Sequence, residues 1–393
     1  MGNERAGPAA SAERIAVIDA LRGFALLGIL LANIPYWAGL PFSTPEQAVA
    51  IGGRIGIANF VAFFNFVLDG KFYTLFSLLF GLGFALQLDR LERRGADGER
   101  IYRRRMLALL AIGLVHLFFI WDGDILTLYA LLGFLLPWFR RFSDRALILW
   151  AIVLVFVVPM AGALLREAVG FNPGAPFTAL SFDIARAMGV DYEKVDIIAN
   201  LGGGGWHEWL AWAASGPSAW VGDRLENWRV FKVFGTMLLG MLAGRYLTRG
   251  TLLDNRALLW KIMLGGFAIG FTANYFYAQM PPHSQNALPS MIGTLPQGMA
   301  YGAAFLLAWR HAPFLAGLAP VGRMALTNYL THSVLCGILF YGFGFGMMGR
   351  IEILWVYGLA LALYGCQIVF STWWLSRHQQ GPMEALWRRM TYG

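Results

Sequence analysis

Asp19 and Arg22 are charged residues inside an apolar stretch that is long enough to cross a membrane, Ile15 to Trp37. Their spacing of three places both side chains on one face of a helix, where each can neutralise the other. Asn33 falls on the same face, about 16 Å above Arg22. Because a charged side chain in a membrane helix costs about 3 kcal/mol or more, we predict that this polar stripe faces protein and binds substrate. The alternative is a structural ion pair that fixes helix register.

A second group of polar residues surrounds His116 in the stretch GLVHLFFIWDGDILTLYALLGF. The imidazole titrates near neutral pH, which suits a residue that takes up and releases protons. Asp122 and Asp124 follow it at the predicted end of the helix, and Asp124 is our candidate to orient or charge His116. The alternative for the two carboxylates is that they cap the following helix, since Asp is a favoured N-cap residue.

A third group lies in the stretch VGRMALTNYLTHSVL. Arg323 follows Pro320 and Gly322, a turn that would hold its guanidinium where it could bind a phosphate or a carboxylate. Anchoring at the membrane surface is the alternative for this arginine. Asn328 and His332 are one turn apart on a shared helix face. They are candidates for substrate binding or proton transfer, but a helix-packing hydrogen bond is the favoured role of His332.

The composition identifies a membrane protein. Hydrophobic residues make up 58% of the 393 residues and charged residues 14%, far less charge than a soluble enzyme of this length carries. The net charge of +8 comes mostly from arginines in short segments between apolar runs, as the positive-inside rule explains. No basic stripe is interleaved with exposed aromatic residues, so we exclude nucleic-acid binding. Cys336 and Cys366 lie in apolar runs and indicate neither a disulfide framework nor a metal site.

Three common catalytic motifs are absent from the sequence. It contains no GxxxxGK[ST] loop, no HExxH helix and no GxSxG elbow. These motifs would supply a phosphate cradle, a zinc site and an exposed nucleophilic serine. Their absence excludes ATP-driven transport, zinc proteolysis and serine hydrolysis of the usual kinds, and we expect no metal.

The apolar runs predict an all-α fold, a polytopic membrane helix bundle with about ten transmembrane helices plus interfacial helices. The arginine-rich segment 90–105 is predicted to be cytoplasmic and the acidic segment 166–226 to lie outside. Gly240 and Gly244, in a GMLAG frame, predict close helix packing. The predicted regions are a cytoplasmic tail (1–14), an N-terminal membrane half (15–165), the extracytoplasmic loop (166–226), a C-terminal membrane half (227–376) and a second cytoplasmic tail (377–393).

Segment 51–69 decides on which side the N-terminus lies. Polar residues interrupt its apolar run at regular intervals, which favours an amphipathic helix in the outer interface and places both termini in the cytoplasm. If the segment spans instead, the protein has eleven spans and an external N-terminus. In the outer loop, Trp206, Trp209 and Trp212 recur every third residue. They predict an amphipathic helix on the membrane surface, or a lid over an outward-facing cavity.

The sequence resembles the bacterial YeiB-type membrane proteins, which carry the domain of unknown function DUF418. The resemblance covers nearly the whole chain and rests on ordered motifs. These are RIAVIDALRGFALLGILLANI, DGKFYTLFSLLFGLGFALQ, GLVHLFFIWDGDILTLYALLGFLLP, GRMALTNYLTHSV and GPMEALWRRMTY. It implies a multi-pass protein of the bacterial inner membrane.

The first span is also similar to that of the transmembrane acyltransferase superfamily, which includes acyltransferase type 3 and heparan-alpha-glucosaminide N-acetyltransferase. There, an Asp-x-x-Arg-Gly start precedes a polar residue fourteen positions after the Asp; here these are Asp19, Arg22, Gly23 and Asn33. The type 3 enzymes usually have histidine at the last position, and relatives of the heparan enzyme have asparagine with a catalytic histidine soon after. This chain has no histidine between Asn33 and His116, so either His116 has become the base or the chemistry has changed.

The resemblance implies an integral-membrane acyltransferase, with acyl-CoA as the donor substrate. We expect His116 to be the base, with Asp124 beside it and with Asn33 and Tyr129 as hydrogen-bond donors to the oxyanion. Arg22 would hold the phosphates of coenzyme A.

Arg323 would share that role at the donor end. The expected partners are the lipid bilayer, acyl-CoA and an envelope glycan or lipid acceptor at the outer face, and a homo-oligomer is compatible with the sequence. The alternative function is a transporter or channel for a small anionic or amphipathic solute, in which the same intramembrane residues line a pathway. A third is a non-enzymatic membrane protein whose polar stripes only fix helix packing.

Overall fold

The computed structural model describes residues 16–93, 98–250, 252–282 and 284–393, and these residues are helical without any β-strand, as predicted. The predicted tail 1–14 lies outside the described residues. The α-helices in chain order are α1 (Ala16–Trp37), α2 (Pro45–Gly52), α3 (Ile57–Phe63), α4 (Lys71–Arg93), α5 (Gly98–Phe119), α6 (Leu126–Gly133), α7 (Leu136–Phe139), α8 (Asp144–Ile152), α9 (Val158–Val169), α10 (Ala175–Ala187), α11 (Ile197–Gly203), α12 (Trp206–Glu226), α13 (Arg229–Thr248), α14 (Arg256–Tyr277), α15 (Leu288–Ala308), α16 (Ala319–Arg323), α17 (Ala325–Phe340), α18 (Ile353–Leu375) and α19 (Pro382–Tyr392).

Several helices are long and apolar enough to cross a membrane, as in a multi-pass membrane protein. By length and composition six segments of the described chain qualify, and a seventh results if α15 and the segment Pro313–Arg323, bent by 117°, form one broken span. The predicted count of about ten is therefore not confirmed. The six are Ala16–Phe42, Ile57–Leu91, Asp144–Val169, Arg229–Thr248, Arg256–Tyr277 and Ile353–Leu375.

Three predicted spans account for the difference between ten and seven. The run at 106–121 belongs to α5, whose first turns carry several arginines. The run at 124–140 divides into α6 and the single turn of α7. The run at 322–346 forms α17, which has only 16 residues. A helix of that length is about 24 Å long, less than the roughly 30 Å of a bilayer core.

Segment 51–69 is not one amphipathic helix. It contains the end of α2, a short turn, α3 and a wider helical turn over Phe64–Leu68. Gly53 and Gly56, with φ of 50° and 78°, separate these pieces in a backbone conformation that favours glycine. The side chain of Asn65 is buried and donates to the carbonyl oxygen of Tyr277 at 3.2 Å. At least one polar interruption of this segment therefore faces protein.

Helix α1 is largely buried and packs against α4, α15, α16, α17 and α18. Its closest approach is to the turn that ends in α16. A Cβ atom on Gly322 would overlap the carbonyl oxygen of Asp19, and one on Gly23 would overlap that of Leu318. This contact brings Arg323 beside the charged turn of α1 and so positions one end of the candidate site.

Helices α4 and α13 also pack backbone to backbone. A Cβ atom on Gly240 would overlap the carbonyl oxygen of Leu78, and one on Gly244 would lie against Ala85. The small residues of the GMLAG frame therefore allow the close packing that the sequence predicts.

The tryptophans at 206, 209 and 212 lie on α12, as the sequence predicts for a helix. Trp206 is 61% exposed and stacks on Phe343, with 4.6 Å between ring centroids. The other end of α12 is buried, since Trp220 has only 8% of its surface exposed. The helix therefore presents one end at the surface and packs the other against the turn between α5 and α6, which Trp220 contacts.

Candidate active site

His116 and Asp124 form a fully buried hydrogen-bonded pair. His116 Nδ1 lies 2.8 Å from Asp124 Oδ1, and both side chains have 0% exposure. Helix α5 carries the histidine, and the turn before α6 carries the aspartate. The two residues that the sequence pairs are therefore in direct contact, with Asp124 placed to orient the ring.

Asp124 also fixes the start of α6. Its Oδ2 accepts from the backbone N–H of Thr127 at 2.7 Å, and its Oδ1 accepts from that of Leu126 at 3.1 Å. Its backbone carbonyl accepts from Trp220 Nε1 at 2.6 Å and from Arg224 Nη2 at 2.8 Å, both on α12. Capping a helix and orienting His116 are therefore two roles of one carboxylate, and two further donors hold the backbone of the same residue in place.

The second carboxylate of this turn, Asp122, has a different partner. Its Oδ2 accepts from the hydroxyl of Tyr36 at 2.6 Å, which ties the turn to the last residues of α1. Trp37 and Trp121 stack beside this contact, with ring centroids 4.2 Å apart. Asp122 therefore connects α1 to the turn, whereas Asp124 makes the contact with His116.

Ser333 is the third member of the group, and sequence reasoning missed it. Its Oγ lies 2.9 Å from His116 Nε2, and the residue is 1% exposed. Since the Asp124 carboxylate can only accept, His116 Nδ1 holds the proton and Nε2 accepts from the Ser333 hydroxyl. The serine lies on α17, 217 positions after the histidine, so no sequence spacing links the two.

A glycine allows this arrangement. At Gly113, one turn before His116, a Cβ atom would lie 2.6 Å from the backbone nitrogen of Thr127 and 2.8 Å from its hydroxyl. Only a residue without a side chain lets α5 approach the start of α6 so closely. This approach brings the capping carboxylate of Asp124 within hydrogen-bond distance of the imidazole.

A cavity of about 330 Å³ opens at the end of the bundle where the arginine-rich segment 90–105 begins and ends. Its wall includes residues of α1, α4, α5, α6, α16, α17 and α19. On α4 alone it runs from Phe76 to Leu91, about 22 Å along the helix axis. Its inner end is formed by Ile125, Tyr129 and Tyr329, and the Tyr329 ring packs against that of His116 at 5.2 Å. The cavity therefore reaches the layer of side chains next to the buried pair.

The Asp19–Arg22 pair lines this cavity. Arg22 Nη1 donates to Asp19 Oδ1 at 2.8 Å, which confirms the predicted pairing. Asp19 is 4% exposed and Arg22 is 29% exposed, because the guanidinium reaches into the cavity. The pair thus faces an internal space and not lipid, and Arg22 keeps donors available to a ligand.

Three further arginines line the same cavity: Arg90, Arg105 and Arg323. Arg323 donates to the carbonyl oxygen of Gln379 at 3.3 Å, and its Nε is buried without a hydrogen-bond partner among the described residues. The sequence predicts anion binding for Arg323, whereas it indicates only a cytoplasmic loop position for Arg90 and Arg105. Arginines in an otherwise apolar wall are typical of a site for phosphate or carboxylate groups.

The two other predicted donors have different surroundings. The hydroxyl of Tyr129 lies on the cavity wall, 2.7 Å from Ser77 Oγ and 3.1 Å from the carbonyl oxygen of Tyr73. Asn33 does not line the cavity and makes no hydrogen bond with a described residue. The structure thus brings Tyr129 to the inner end of the cavity and leaves Asn33 outside it.

Asn328 and His332 connect α17 to α18. Asn328 Nδ2 donates to Ser371 Oγ at 3.0 Å, and His332 Nε2 lies 2.7 Å from Gln367 Oε1. Gln367 Nε2 in turn donates to the carbonyl oxygen of Asn328 at 3.1 Å. Neither residue lines the cavity. Of the roles that the sequence allows, the geometry favours helix packing for both.

The C-terminal helix α19 covers the mouth of the cavity. The Glu384 carboxylate accepts from the backbone N–H groups of Leu326 and Thr327 at 2.7 and 3.1 Å, and so caps α17. Burial raises the pKa of the Glu384 carboxyl, and these hydrogen bonds act against that rise. Trp387 donates to the carbonyl oxygen of Arg105 at 2.9 Å and lies 3.9 Å beneath its guanidinium. The predicted tail 377–393 is therefore part of the site.

No group of three or more His, Cys, Asp or Glu side chains that could hold a metal ion occurs within residues 16–93, 98–250, 252–282 and 284–393. The polar groups described above are instead one acid–base pair, the hydroxyls of Ser333 and Tyr129, and a set of arginines. Such a set can move protons and bind anions.

Known proteins are similar to this sequence over nearly its full length. "Uncharacterized protein YxaH" of Bacillus subtilis is 31% identical over an alignment of 412 residues. The alignment includes 98% of this chain and 96% of the relative. "Uncharacterized protein YeiB" of Escherichia coli is 30% identical over 404 residues and 96% of each chain. "Uncharacterized 39.9 kDa protein in amylase 3'region" of Bacillus acidopullulyticus is 30% identical over 404 residues, 98% of this chain and 96% of that protein.

A family model described as "Protein of unknown function (DUF418)" matches residues 245–393. This match includes Arg323, Ser333 and the C-terminal helix that covers the cavity. The full-length relatives extend the likeness to the N-terminal half, which carries the Asp19–Arg22 pair and His116. The chain belongs to the YeiB-like DUF418 family.

Proposed function

We propose that this protein is a membrane acyltransferase that takes an acyl group from a coenzyme A thioester at the cytoplasmic face and passes it to an acceptor at the outer face. The observation that carries the proposal is the arginine-lined cavity whose inner end lies one side chain away from the buried His116–Asp124 pair. An anion-binding entrance and a proton acceptor are the two parts that transfer from acyl-CoA needs.

The entrance suits the nucleotide end of the donor. Among the described residues, four arginines line the cavity against two carboxylates: Asp19, which pairs with Arg22, and Glu384, which caps α17. The excess positive charge favours phosphate groups. A cavity of about 330 Å³ is at the small end for a ligand site. We therefore expect a slender acyl-pantetheine arm to enter while the nucleotide stays at the mouth.

The inner end suits acyl transfer. With its proton on Nδ1, His116 has a free basic function at Nε2, and the Asp124 carboxylate would stabilise the imidazolium that forms when Nε2 takes a proton. Tyr129 at the wall is a donor for the developing oxyanion, as proposed from the sequence. Asn33 lies outside the cavity, so we assign it no contact with the donor.

The orientation follows from charge. The cavity mouth lies at the arginine-rich end of the bundle, which the positive-inside rule assigns to the cytoplasm, where acyl-CoA is made. The turn that carries Asp122 and Asp124, with α12 against it, then lies toward the outer face of the inner membrane. An envelope glycan or lipid would approach His116 from there, past Trp37 and Trp121.

A transporter or channel is the alternative function. The cavity lining stops at Ile125, Tyr129 and Tyr329 and includes no residue of the aromatic cluster near Asp122. A dead-ended cavity beside an acid–base pair supports an enzyme more than a pathway. We therefore keep acyl transfer as the proposed function.

The decisive experiment measures release of free coenzyme A thiol by the purified full-length protein in detergent. The wild type should consume acyl-CoA when envelope extract supplies an acceptor. His116→Ala should stop this while the protein still elutes and melts as a folded species. His332→Ala is the matched control, a buried histidine outside the cavity, and should lower thermal stability more than turnover. Equal turnover by wild type and His116→Ala would contradict the proposal.

Donor binding is tested separately by native mass spectrometry with acyl-CoA. Arg105→Gln removes a guanidinium from the cavity mouth and should weaken binding about tenfold or more. Arg103→Gln is the control, because Arg103 is 63% exposed, is absent from the cavity lining and, within the described part of the chain, pairs with Glu99. If both variants bind acyl-CoA like the wild type, the cavity is not the donor site.

A further inference from the structure

Ser333, His116 and Asp124 form one continuous hydrogen-bonded chain. The distances are 2.9 Å from Ser333 Oγ to His116 Nε2 and 2.8 Å from His116 Nδ1 to Asp124 Oδ1. All three side chains are buried. The order of hydroxyl, imidazole and carboxylate is that of an activated serine nucleophile, which is recognised by geometry and not by sequence order.

We propose that Ser333 is the nucleophile of the reaction and carries the acyl group as an ester between donor and acceptor, an inference that rests on the proposed acyl transfer. In the first half-reaction Ser333 Oγ bonds to the thioester carbonyl carbon, and its proton passes to His116 Nε2. The C–S bond then breaks, and the departing thiolate takes that proton to leave as coenzyme A thiol. In the second, the acceptor hydroxyl or amine attacks the ester, gives its proton to Nε2, and Ser333 Oγ takes it back.

A second observation identifies a donor for the oxyanion. Tyr329 is one turn before Ser333 on α17, so both side chains lie on the same face. The Tyr329 hydroxyl is buried, and its proton has no acceptor among the described residues. It is also part of the cavity wall. An unpaired hydroxyl between the cavity and the nucleophile is placed to donate to the charge that develops on the carbonyl oxygen.

A helix-packing role explains the contact between Ser333 and His116 less well than a nucleophile role does. Ser371 shows what such a role looks like: it is equally buried, accepts from the Asn328 amide at 3.0 Å and is hydrogen-bonded to no imidazole of the described residues. Ser333 instead donates to an imidazole whose other nitrogen is held by a carboxylate. This difference makes Ser371 the matched control.

The test traps the intermediate. Wild-type protein is mixed with a short-chain acyl-CoA in the absence of acceptor, quenched in acid, and examined by intact mass and peptide mapping. We expect an acyl adduct on Ser333 and a stoichiometric burst of coenzyme A thiol. Ser333→Ala should lose the adduct and about 10³-fold or more in turnover, Ser333→Cys should carry the acyl group as a thioester, and Ser371→Ala should keep both.

A fluorophosphonate probe separates this inference from the proposed function, because it labels activated serines whatever their natural donor. Labelling of Ser333 that disappears in His116→Ala supports the nucleophile. If Ser333 is labelled but the protein neither binds nor consumes acyl-CoA, Ser333 is still an activated nucleophile, but the proposal that acyl-CoA is the donor is wrong. If His116→Ala stops turnover while Ser333→Ala keeps it within about threefold and no adduct forms, acyl transfer is direct and the inference is overturned. If the wild type shows neither labelling of Ser333 nor turnover of acyl-CoA, both the inference and the proposed function are overturned.

Discussion

The ring of Tyr329 packs on the imidazole of His116, 5.2 Å between centroids, while its other side forms the inner wall of the arginine-lined cavity. One aromatic side chain therefore separates a ligand-sized space from a buried base. Any donor that enters the cavity meets this tyrosine before it meets the histidine. The first prediction concerns its hydroxyl.

Tyr329→Phe should lower kcat by about 10²-fold with little change in KM, because it removes one oxyanion donor and leaves the ring in place. The same change should stabilise the protein by about 1 kcal/mol, since a buried hydroxyl without a partner is destabilising. Initial rates and thermal melting of the purified variant measure both. Lower stability together with unchanged kcat would show that the hydroxyl has a structural role only.

Asp124 has two roles that substitutions can separate. Asp124→Asn keeps an acceptor for the N–H groups of α6 but removes the charge beside His116, so the protein should fold while kcat falls by about 10²–10⁴-fold. Asp124→Ala removes the cap as well and should lower stability by about 1–3 kcal/mol. Melting and turnover of the two variants are compared side by side. Similar melting temperatures for both would mean that the cap contributes nothing.

The Asp19–Arg22 pair should depend on both partners. Asp19→Ala leaves the Arg22 charge without its carboxylate, and a double change to Asp19→Ala with Arg22→Met removes both charges. Because Arg22 is 29% exposed to the cavity, we expect the single variant to lose about 1–3 kcal/mol, less than for a fully buried pair, and the double variant to recover part of this loss. Equal melting temperatures for single and double variants would count against the pairing.

The docking of α19 should depend on pH through Glu384. Burial raises the pKa of this carboxyl above its ordinary 4.5, so the folded protein holds the proton more tightly than the unfolded chain. The stabilisation that the protonated Glu384 carboxyl gives the folded protein is therefore present in full below pH 4.5 and is lost as the pH rises through the raised pKa. Glu384→Gln should remove this pH dependence. The measurement is the difference in melting temperature between wild type and variant over that range, and a difference that does not vary with pH would refute the assignment.

The orientation can be tested with two single cysteines in a background that carries Cys366→Ser, which removes the exposed native thiol. Arg103→Cys and Lys194→Cys replace residues with 63% and 81% exposure at opposite ends of the predicted topology. In intact cells a membrane-impermeant maleimide should label position 194 and reach position 103 only after the membrane is opened. Labelling of both positions from the same side would disprove the predicted topology.

Sequence reasoning identified the parts of the site that are close in the chain. Asp19 and Arg22 are three positions apart and His116 and Asp124 eight, so a helical turn and a short loop are enough to bring each pair together. The fold class followed from composition. The number of spans did not, because a count of apolar runs does not reveal where a helix breaks, as it does after Gly133.

The contacts that sequence reasoning missed join distant elements. Ser333 reaches His116 only because the fold brings a side chain of α17 to one of α5, and Arg105 reaches the cavity only because α5 continues through the basic segment. Nothing in the spacing of these residues indicates either contact. Asn33 shows the converse: its place on the polar face of α1 predicted a role, yet the cavity lining ends at Ile29 on that helix.

The order in which the chain enters the membrane has a consequence for the imidazole of His116. Its helix and the capping aspartate are made early, whereas Ser333 follows more than two hundred residues later. Until α17 arrives, Nε2 lacks the partner that occupies it in the finished fold, and an unpaired polar atom in a nonpolar medium is strongly unfavourable. Insertion of α17 thus supplies the hydrogen-bond partner that His116 Nε2 on α5 lacks until then. Truncated chains that stop before it should be short-lived in cells, because membrane quality control would degrade them.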